Sequence, residues 1–113
     1  MSKRDEKLAL YREFISKHEL EIDDTLLVSV TVGLGPSIYN KNSELIACSN
    51  DSELETVREN FLKKKLGLTQ SDDALTAGIK EVCQEIGSSV KNKFRAVFYS
   101  LLVKKFAKED FYK

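Results

Sequence analysis

Apolar residues at helical spacing, interrupted at few points, are the feature that most constrains the fold of this chain. The last segment shows it best, because its apolar residues recur three and four positions apart: Val90, Phe94, Val97, Phe98, Leu101, Leu102 and Phe106. This spacing is typical of one face of a helix. The 113 residues include one proline and five glycines, so breaks between such segments are few. The pattern favours a helical array over a sandwich of short strands.

Breaks and capping residues divide the chain into helical segments. The first expected helix begins after Ser2, and the next two span about 24–33 and 36–41. Two longer helices are expected from a cap at Asp51 or Ser52 to Gly67 and from Ser71 to Gly87. The last helix spans about 89–107, and a short added turn is expected over 43–48. Few charges lie on any face of the last segment, which predicts that this helix is central. We therefore predict an all-α single domain over residues 1–113, an array of about five or six helices around the C-terminal one.

Residues 28–32 are ambiguous because valine alternates there with serine and threonine, which is the pattern of a strand. A strand needs a partner, and no other stretch of the sequence alternates over five residues. Asp23 and Asp24 offer helix caps, and the apolar positions that follow fit one helical face: Leu26, Leu27, Val30 and Leu34. We therefore predict a helix over 24–33, with packing overriding the weak helix propensity of valine.

Charge is balanced overall but not along the chain. The 18 lysines and arginines match 18 acidic residues. Residues 1–60 carry seven basic against twelve acidic residues, a net of −5, so residues 61–113 carry a net of +5. Zero net charge excludes a whole-chain polycation or polyanion. The split either leaves a basic face open to an acidic partner or is cancelled by ion pairs within the fold, and we favour the ion pairs.

Basic residues of the second half form a candidate interaction surface, whose members are Lys63, Lys64, Lys65, Lys91 and Arg95. Phe94, Phe98 and Leu101 share the apolar face of the last helix, so they are expected to be buried rather than to stack on bases. A nucleic-acid-binding surface usually comes with a basic overall balance, which this chain lacks.

Gly33-x-Gly35 before Pro36 could suggest a phosphate-binding loop, but the rest of that motif is missing. The sixth position is Ile38 rather than glycine, and no Lys-Ser or Lys-Thr pair follows. Two glycines before a proline favour a turn between helices. The backbone N–H groups after the proline leave a weaker hypothesis, a candidate anion-binding turn at Gly35, Pro36 and Ser37.

Catalytic constellations find little support in the sequence. Nucleophilic catalysis with an imidazole would need His18, the only histidine, which lies among charged residues and suits the end of a surface helix. The pairs Asp23-Asp24 and Asp72-Asp73 stand at expected helix starts, where a cap and a first-turn acid explain them. We predict no enzymatic activity, no metal site and no cofactor.

The cysteines and the apolar stretches bear on the compartment. Cys48 and Cys83 form neither a C-x-x-C pair nor a zinc-type spacing. No secretory apolar region follows the charged first residues, and the longest apolar-rich stretch, residues 26–34, is far shorter than the ~20 residues of a membrane span. We predict a cytoplasmic protein with no membrane partner, in which the cysteines are two buried thiols.

Three strings resemble a known family: Gly35-Pro36-Ser37-Ile38-Tyr39-Asn40, residues 60–68 (NFLKKKLGL), and residues 92–97 (NKFRAV) with Tyr99 and Leu101. Together they are similar to a family of small bacterial proteins catalogued as domain of unknown function 2853. The resemblance implies a compact all-helical bacterial domain. It implies no activity, ligand or catalytic residue.

The sequence leads to one preferred function and one alternative. A non-enzymatic protein-interaction module is preferred, because no constellation supports catalysis and the charge split favours docking of another protein. The alternative is binding of nucleic acid or a phosphate-bearing ligand through the basic residues of the C-terminal half.

Overall fold

The structure, a computed structural model of the chain, describes residues 3–41, 43–87, 90 and 92–112. Its helices are α1 (Lys3–Lys17), α2 (Asp24–Leu34), α3 (Asp51–Thr56), a π-helix (Val57–Lys65), α4 (Asp72–Ile86) and α5 (Arg95–Lys105). Two 3₁₀ helices span Gly35–Tyr39 and Glu109–Tyr112, and two strands, β1 (Leu45–Ala47) and β2 (Asn92–Phe94), form an antiparallel pair. The predicted all-α class is confirmed, with this small sheet as an addition.

α2 is helical across the ambiguous stretch, as predicted. The side chain of Asp23 caps it by accepting a hydrogen bond from the N–H of Thr25 at 3.0 Å. Leu27 and Val30 are buried on its inner face, and the hydroxyl of Thr31 donates to the carbonyl of Leu27. Burial of this face stabilises the helix against the strand preference of its valines.

The prediction of a helical turn over 43–48 is wrong, because residues 45–47 form β1. Leu45 pairs with Phe94, Ile46 with Lys93 and Ala47 with Asn92. The predicted start of the last helix near residue 89 is wrong for the same reason, since β2 occupies 92–94 and α5 begins at Arg95. A strand this short forms only when a distant segment supplies its hydrogen-bond partners.

The predicted helix from Asp51 or Ser52 to Gly67 exists, with a different cap and a different hydrogen-bonding pattern. Asn50, rather than Asp51 or Ser52, caps α3 by accepting from the N–H of Glu53 at 3.2 Å. The helix then widens to the π form over Val57–Lys65, and the N–H of Leu66 donates to Phe61 five residues back. Gly67 follows at a positive φ of 70° and ends it, as predicted.

α5 is central, as predicted. It packs against α1, α2, α4 and both strands, and all its residues from Ala96 to Val103 are buried. Phe98 and Leu101 are buried as expected. Phe94 is only half-buried, which corrects the prediction for that residue, and its ring packs at the core edge against the rings of Tyr11 and Phe14.

The prediction of two buried thiols is wrong, because Cys48 and Cys83 form a disulfide with their Cα atoms 6.1 Å apart. Both residues are half-buried at the edge of the core. The fold brings the end of β1 beside the last turn of α4, a juxtaposition that the spacing of the cysteines does not reveal. The prediction of two buried thiols rested on an expected reducing cytoplasm, where disulfides are rare.

Two expected features lie outside the described residues, namely the Ser2 cap of the first helix and the Lys91 side chain. Within the described part of the chain, no helix has the length and apolar content needed to cross a membrane.

Candidate functional site

Arg95 is the centre of a hydrogen-bonded cluster at the start of α5. Its Nε donates to the Ser43 carbonyl at 2.5 Å, Nη1 donates to the Tyr99 hydroxyl at 2.7 Å, and Nη2 donates to Glu53 Oε1 at 3.3 Å. Its side chain is only 15% exposed. Arg95 is therefore engaged within the protein, where it joins the turn before β1 to α3 and α5.

Ser43 connects this cluster to the candidate anion-binding turn. Its hydroxyl donates to the Ser37 carbonyl at 3.0 Å, while its own carbonyl accepts from Arg95. The Ser37 hydroxyl donates to the Leu34 carbonyl at 2.8 Å. Gly35 ends α2 with a positive φ of 61°, a conformation that favours glycine. The polar groups of Ser37 thus build the turn itself.

Tyr99 links the same cluster to the π-helix. Its ring stacks on Phe61 with centroids 3.8 Å apart and planes 18° from parallel. Burial raises the pKa of the Tyr99 hydroxyl, and the neighbouring Arg95 partly offsets this. The turn, the π-helix and the start of α5 therefore meet around Ser43, Arg95 and Tyr99.

The three consecutive lysines have three different environments. Lys63 forms ion pairs with Glu59 at 2.8 Å and Asp72 at 2.5 Å, and these partners raise its pKa. The Lys65 ammonium lies 3.4 Å from the Gly33 carbonyl at the C-terminal end of α2, where a cation is favourable. Lys64 is exposed and has no ion pair with another described residue.

The structure therefore separates the members of the predicted basic surface. Lys64 and Lys65 remain exposed side by side, Lys63 is neutralised, and Arg95 is enclosed in its own cluster. Among the described residues, two ion pairs join a basic residue of the second half to an acidic residue of the first, namely Lys63 with Glu59 and Arg95 with Glu53. They offset part of the charge split, whereas Lys7 and Glu44 pair within the first half.

Exposed apolar side chains on two segments that meet near Lys65 form a feature that sequence reasoning missed. Val32 is 50% exposed and Phe111 is 48% exposed. The Phe111 ring lies 5.0 Å from that of Tyr112, and a Cβ at Gly33 would lie 3.4 Å from Tyr112, in ordinary van der Waals contact. The same Cβ would lie 3.6 Å from Lys65 Nζ. We call Val32, Gly33, Lys64, Lys65 and Phe111 the α2 corner.

The sequence carried a partial signal for this corner. The Gly33-x-Gly35 pattern predicts a turn, whereas Gly33 lies inside α2, where Tyr112 and Lys65 pack against it at ordinary contact distance. The C-terminal aromatic pair had no sequence pattern that placed it against α2.

An open cleft of about 460 Å³ lies on another face, lined by Leu20, Glu21, Ile22, Asp23, Leu26, Lys104 and Glu109. Lys104 donates to the Glu21 carbonyl at 2.9 Å, and Asp23 caps α2, so two of its charged groups have structural roles. Across the described ranges, no group of three or more His, Cys, Asp or Glu residues could hold a metal ion. The ring of His18 packs against Phe14 with centroids 4.4 Å apart.

Comparison with known protein families identifies the family of this chain. The model of a family described as protein of unknown function (DUF2853) matches residues 11–110. The chain belongs to this family. The three strings that suggested DUF2853 from the sequence lie within the matched range and meet around Arg95 and Ser43 in the structure. No curated protein matches this DUF2853 chain.

Proposed function

We propose that this DUF2853 domain is a non-enzymatic protein-interaction module that docks an acidic, apolar segment of a partner protein at the α2 corner. The observation that carries the proposal is that two half-exposed apolar side chains, Val32 and Phe111, directly neighbour Gly33 and Tyr112, and that Tyr112 and the exposed Lys65 meet at Gly33. Docking surfaces commonly combine an apolar centre, often aromatic, with a polar rim.

The charge of the corner supports an acidic partner. Lys64 has no ion pair with another described residue, so a partner carboxylate would not have to displace one. Lys65 contacts only a carbonyl among the described residues, a weaker partner for an ammonium than a carboxylate. A partner with Asp or Glu beside Leu or Phe would match both parts of the surface.

Hydrogen bonds within the protein support the non-enzymatic part of the proposal, because they engage polar side chains of the central cluster. All three guanidinium nitrogens of Arg95 donate within the protein, and the Ser37 hydroxyl does so as well. Acid–base catalysis needs a group whose proton is available to a substrate.

Binding of nucleic acid or a phosphate ligand remains the alternative function. Lys63 and Arg95 would have to exchange carboxylate partners for phosphates, which offsets the gain from each contact. The adjacent Lys64 and Lys65 would supply few phosphate contacts, and affinity for nucleic acid grows with their number.

A bacterial origin is what the family resemblance implies, and we propose the cytoplasm as the compartment. Disulfides that occur in the cytosol are usually redox-responsive or transient. Trapping the thiols by alkylation in intact cells, before lysis, would test this location, and a fully oxidised, reductant-resistant pool would contradict it.

The proposed docking is tested by NMR titration of the ¹⁵N-labelled protein with a peptide of alternating glutamate and leucine. We expect amide shifts at Val32, Gly33, Lys64, Lys65 and Phe111, and an affinity loss of at least about fivefold in K64Q/K65Q and in F111S. Matched controls are K80Q and L10S, which alter an exposed lysine and an exposed leucine on other helices.

The outcomes separate the two functions. Three results together would favour the polyanion alternative. The peptide-induced amide shifts would be unchanged in the F111S variant, a thymidine oligonucleotide would produce the same shifts, and added salt would abolish them. Peptide shifts spread evenly over the surface, unaffected by either corner variant, would exclude the α2 corner as a docking site.

A further inference from the structure

The Cys48–Cys83 disulfide joins two elements at the edge of the fold. Cys48 directly follows β1, and Cys83 lies in the last turn of α4, where its carbonyl accepts from the N–H of Gly87 at 3.1 Å. The bond spans 35 positions of sequence that include α3 and the π-helix. It therefore ties the corner between β1 and α3 to the end of α4.

Residues other than the cysteines build the core beside this bond. Disulfides carry the stability of small domains that lack a sufficient core, whereas a chain of this size can bury one. Ile46 and Val82, which flank the cysteines, are fully buried, while the cysteines themselves are only partly covered. Opening the bond would leave Ile46 and Val82 in the core and expose the two thiols.

Besides the sheet pairing of Ala47 with Asn92, the corner that the bond restrains is held to the rest of the fold by long hydrogen bonds of Glu53. The N–H of Ala47 lies 3.4 Å from Glu53 Oε2, and Arg95 Nη2 lies 3.3 Å from Glu53 Oε1. Both distances exceed the ~2.9 Å of an ordinary N–H···O bond. The Asn50 N–H donates to Ala47 at 3.1 Å within the same corner. The disulfide is thus the strongest connection between residues 47–53 and α4.

We propose that the Cys48–Cys83 pair is a reversible thiol–disulfide switch that controls the order of the β1–α3 corner and, through Glu53, the restraint on Arg95. A thiolate of a low-molecular-weight thiol attacks one sulfur and forms a mixed disulfide, releasing the other cysteine as a thiolate that takes up a proton. A second thiol molecule then attacks the mixed disulfide, which yields the second protein thiol and the oxidised small thiol. Two electrons and two protons reach the protein, and oxidised small thiol reverses the reaction. This proposal does not depend on the docking function.

The test is amide hydrogen exchange on the oxidised protein, on the protein reduced with dithiothreitol, and on reduced protein reoxidised with oxidised glutathione. We expect the amides of Asn50 and Leu54 to exchange at least about tenfold faster after reduction, while those of Val30 and Leu101 are unchanged. Reoxidation should restore the slow rates. The double variant C48S/C83S should match the reduced protein and be insensitive to both reagents, which separates bond loss from reagent effects.

Each of three other outcomes would contradict the proposed switch. Unchanged exchange at Asn50 and Leu54 would make the bond a passive crosslink. Loss of protection throughout α2 and α5 on reduction would make it a staple that the whole fold requires. Failure of oxidised glutathione to regenerate the bond in folded, reduced protein would show that the reaction is not reversible.

Discussion

Phe61 and Tyr99 stack almost face to face, with ring centroids 3.8 Å apart, and so hold the π-helix against α5. Tyr99 has a second role, because its hydroxyl accepts a hydrogen bond from Arg95 at 2.7 Å. The aromatic contact and the polar cluster are therefore parts of one connection, and substitutions at Tyr99 can separate them.

Y99F should lower the free energy of unfolding by about 1–2 kcal/mol, since it keeps the ring but removes an acceptor from a charged donor. Y99L should cost more, because it also removes the stacked ring. Urea denaturation of both variants measures the difference. Equal losses would mean that the hydroxyl carries all of the contribution of Tyr99.

F98A should lower the free energy of unfolding by about 3–5 kcal/mol, because Phe98 is fully buried and removal of its ring leaves a cavity in the core around α5. F111A, at a position that is 48% exposed, is the matched control and should change stability by less than about 0.5 kcal/mol. A loss below about 1 kcal/mol for F98A would contradict the central position of α5.

G78A should destabilise the protein by about 1–3 kcal/mol, although alanine is the better helix former. A Cβ at Gly78 would overlap the Phe106 ring, so either α4 or that ring must move. The control is A77G on the exposed side of the same helix, which should cost about 1 kcal/mol through propensity alone. Thermal unfolding of both variants checks the prediction, and a more stable G78A would contradict the close contact.

K93M should stabilise the protein at neutral pH by about 1–2 kcal/mol, because Lys93 is 2% exposed and has no carboxylate partner among the described residues. Its ammonium donates to the Val90 carbonyl, and burial lowers its pKa below the ordinary value of 10.5. As pH rises from the folded pKa towards 10.5, the unfolded chain holds the proton that the folded one has lost, so wild-type stability increases. The advantage of K93M should therefore shrink over that range in urea titrations at stepped pH, and a constant advantage would argue against a charged, buried Lys93.

Alkaline pH should destabilise the fold through its buried tyrosines. Burial raises the pKa of Tyr11 and of Tyr112 from 10.0 to about 12. Between these values the unfolded chain has lost protons that the folded one retains, so stability falls as pH rises. Near-ultraviolet absorbance should show a late ionisation phase that Y11F and Y112F each reduce, and a late phase that neither variant reduces would contradict the prediction.

The sequence alone determined the features that depend on neighbours a few residues apart. Asp23 and Ser71 cap their own helices, and Gly87 ends α4. The apolar spacing of the last segment identifies four of the buried residues of α5, namely Val97, Phe98, Leu101 and Leu102. The sequence identifies the basic residues but not their ion-pair partners. Lys63 pairs with Asp72 and Arg95 pairs with Glu53, and in each pair the two residues lie on different elements of the fold.

Only the tertiary structure decided the features that join distant segments. β1 exists because β2 lies 47 positions further along the chain and supplies its hydrogen bonds, as the pairing of Ile46 with Lys93 illustrates. The disulfide, the burial of Lys93 and the contact between Gly33 and Tyr112 arise in the same way. Helical periodicity reports which face of a segment is buried, but it carries no information about which other segment covers that face.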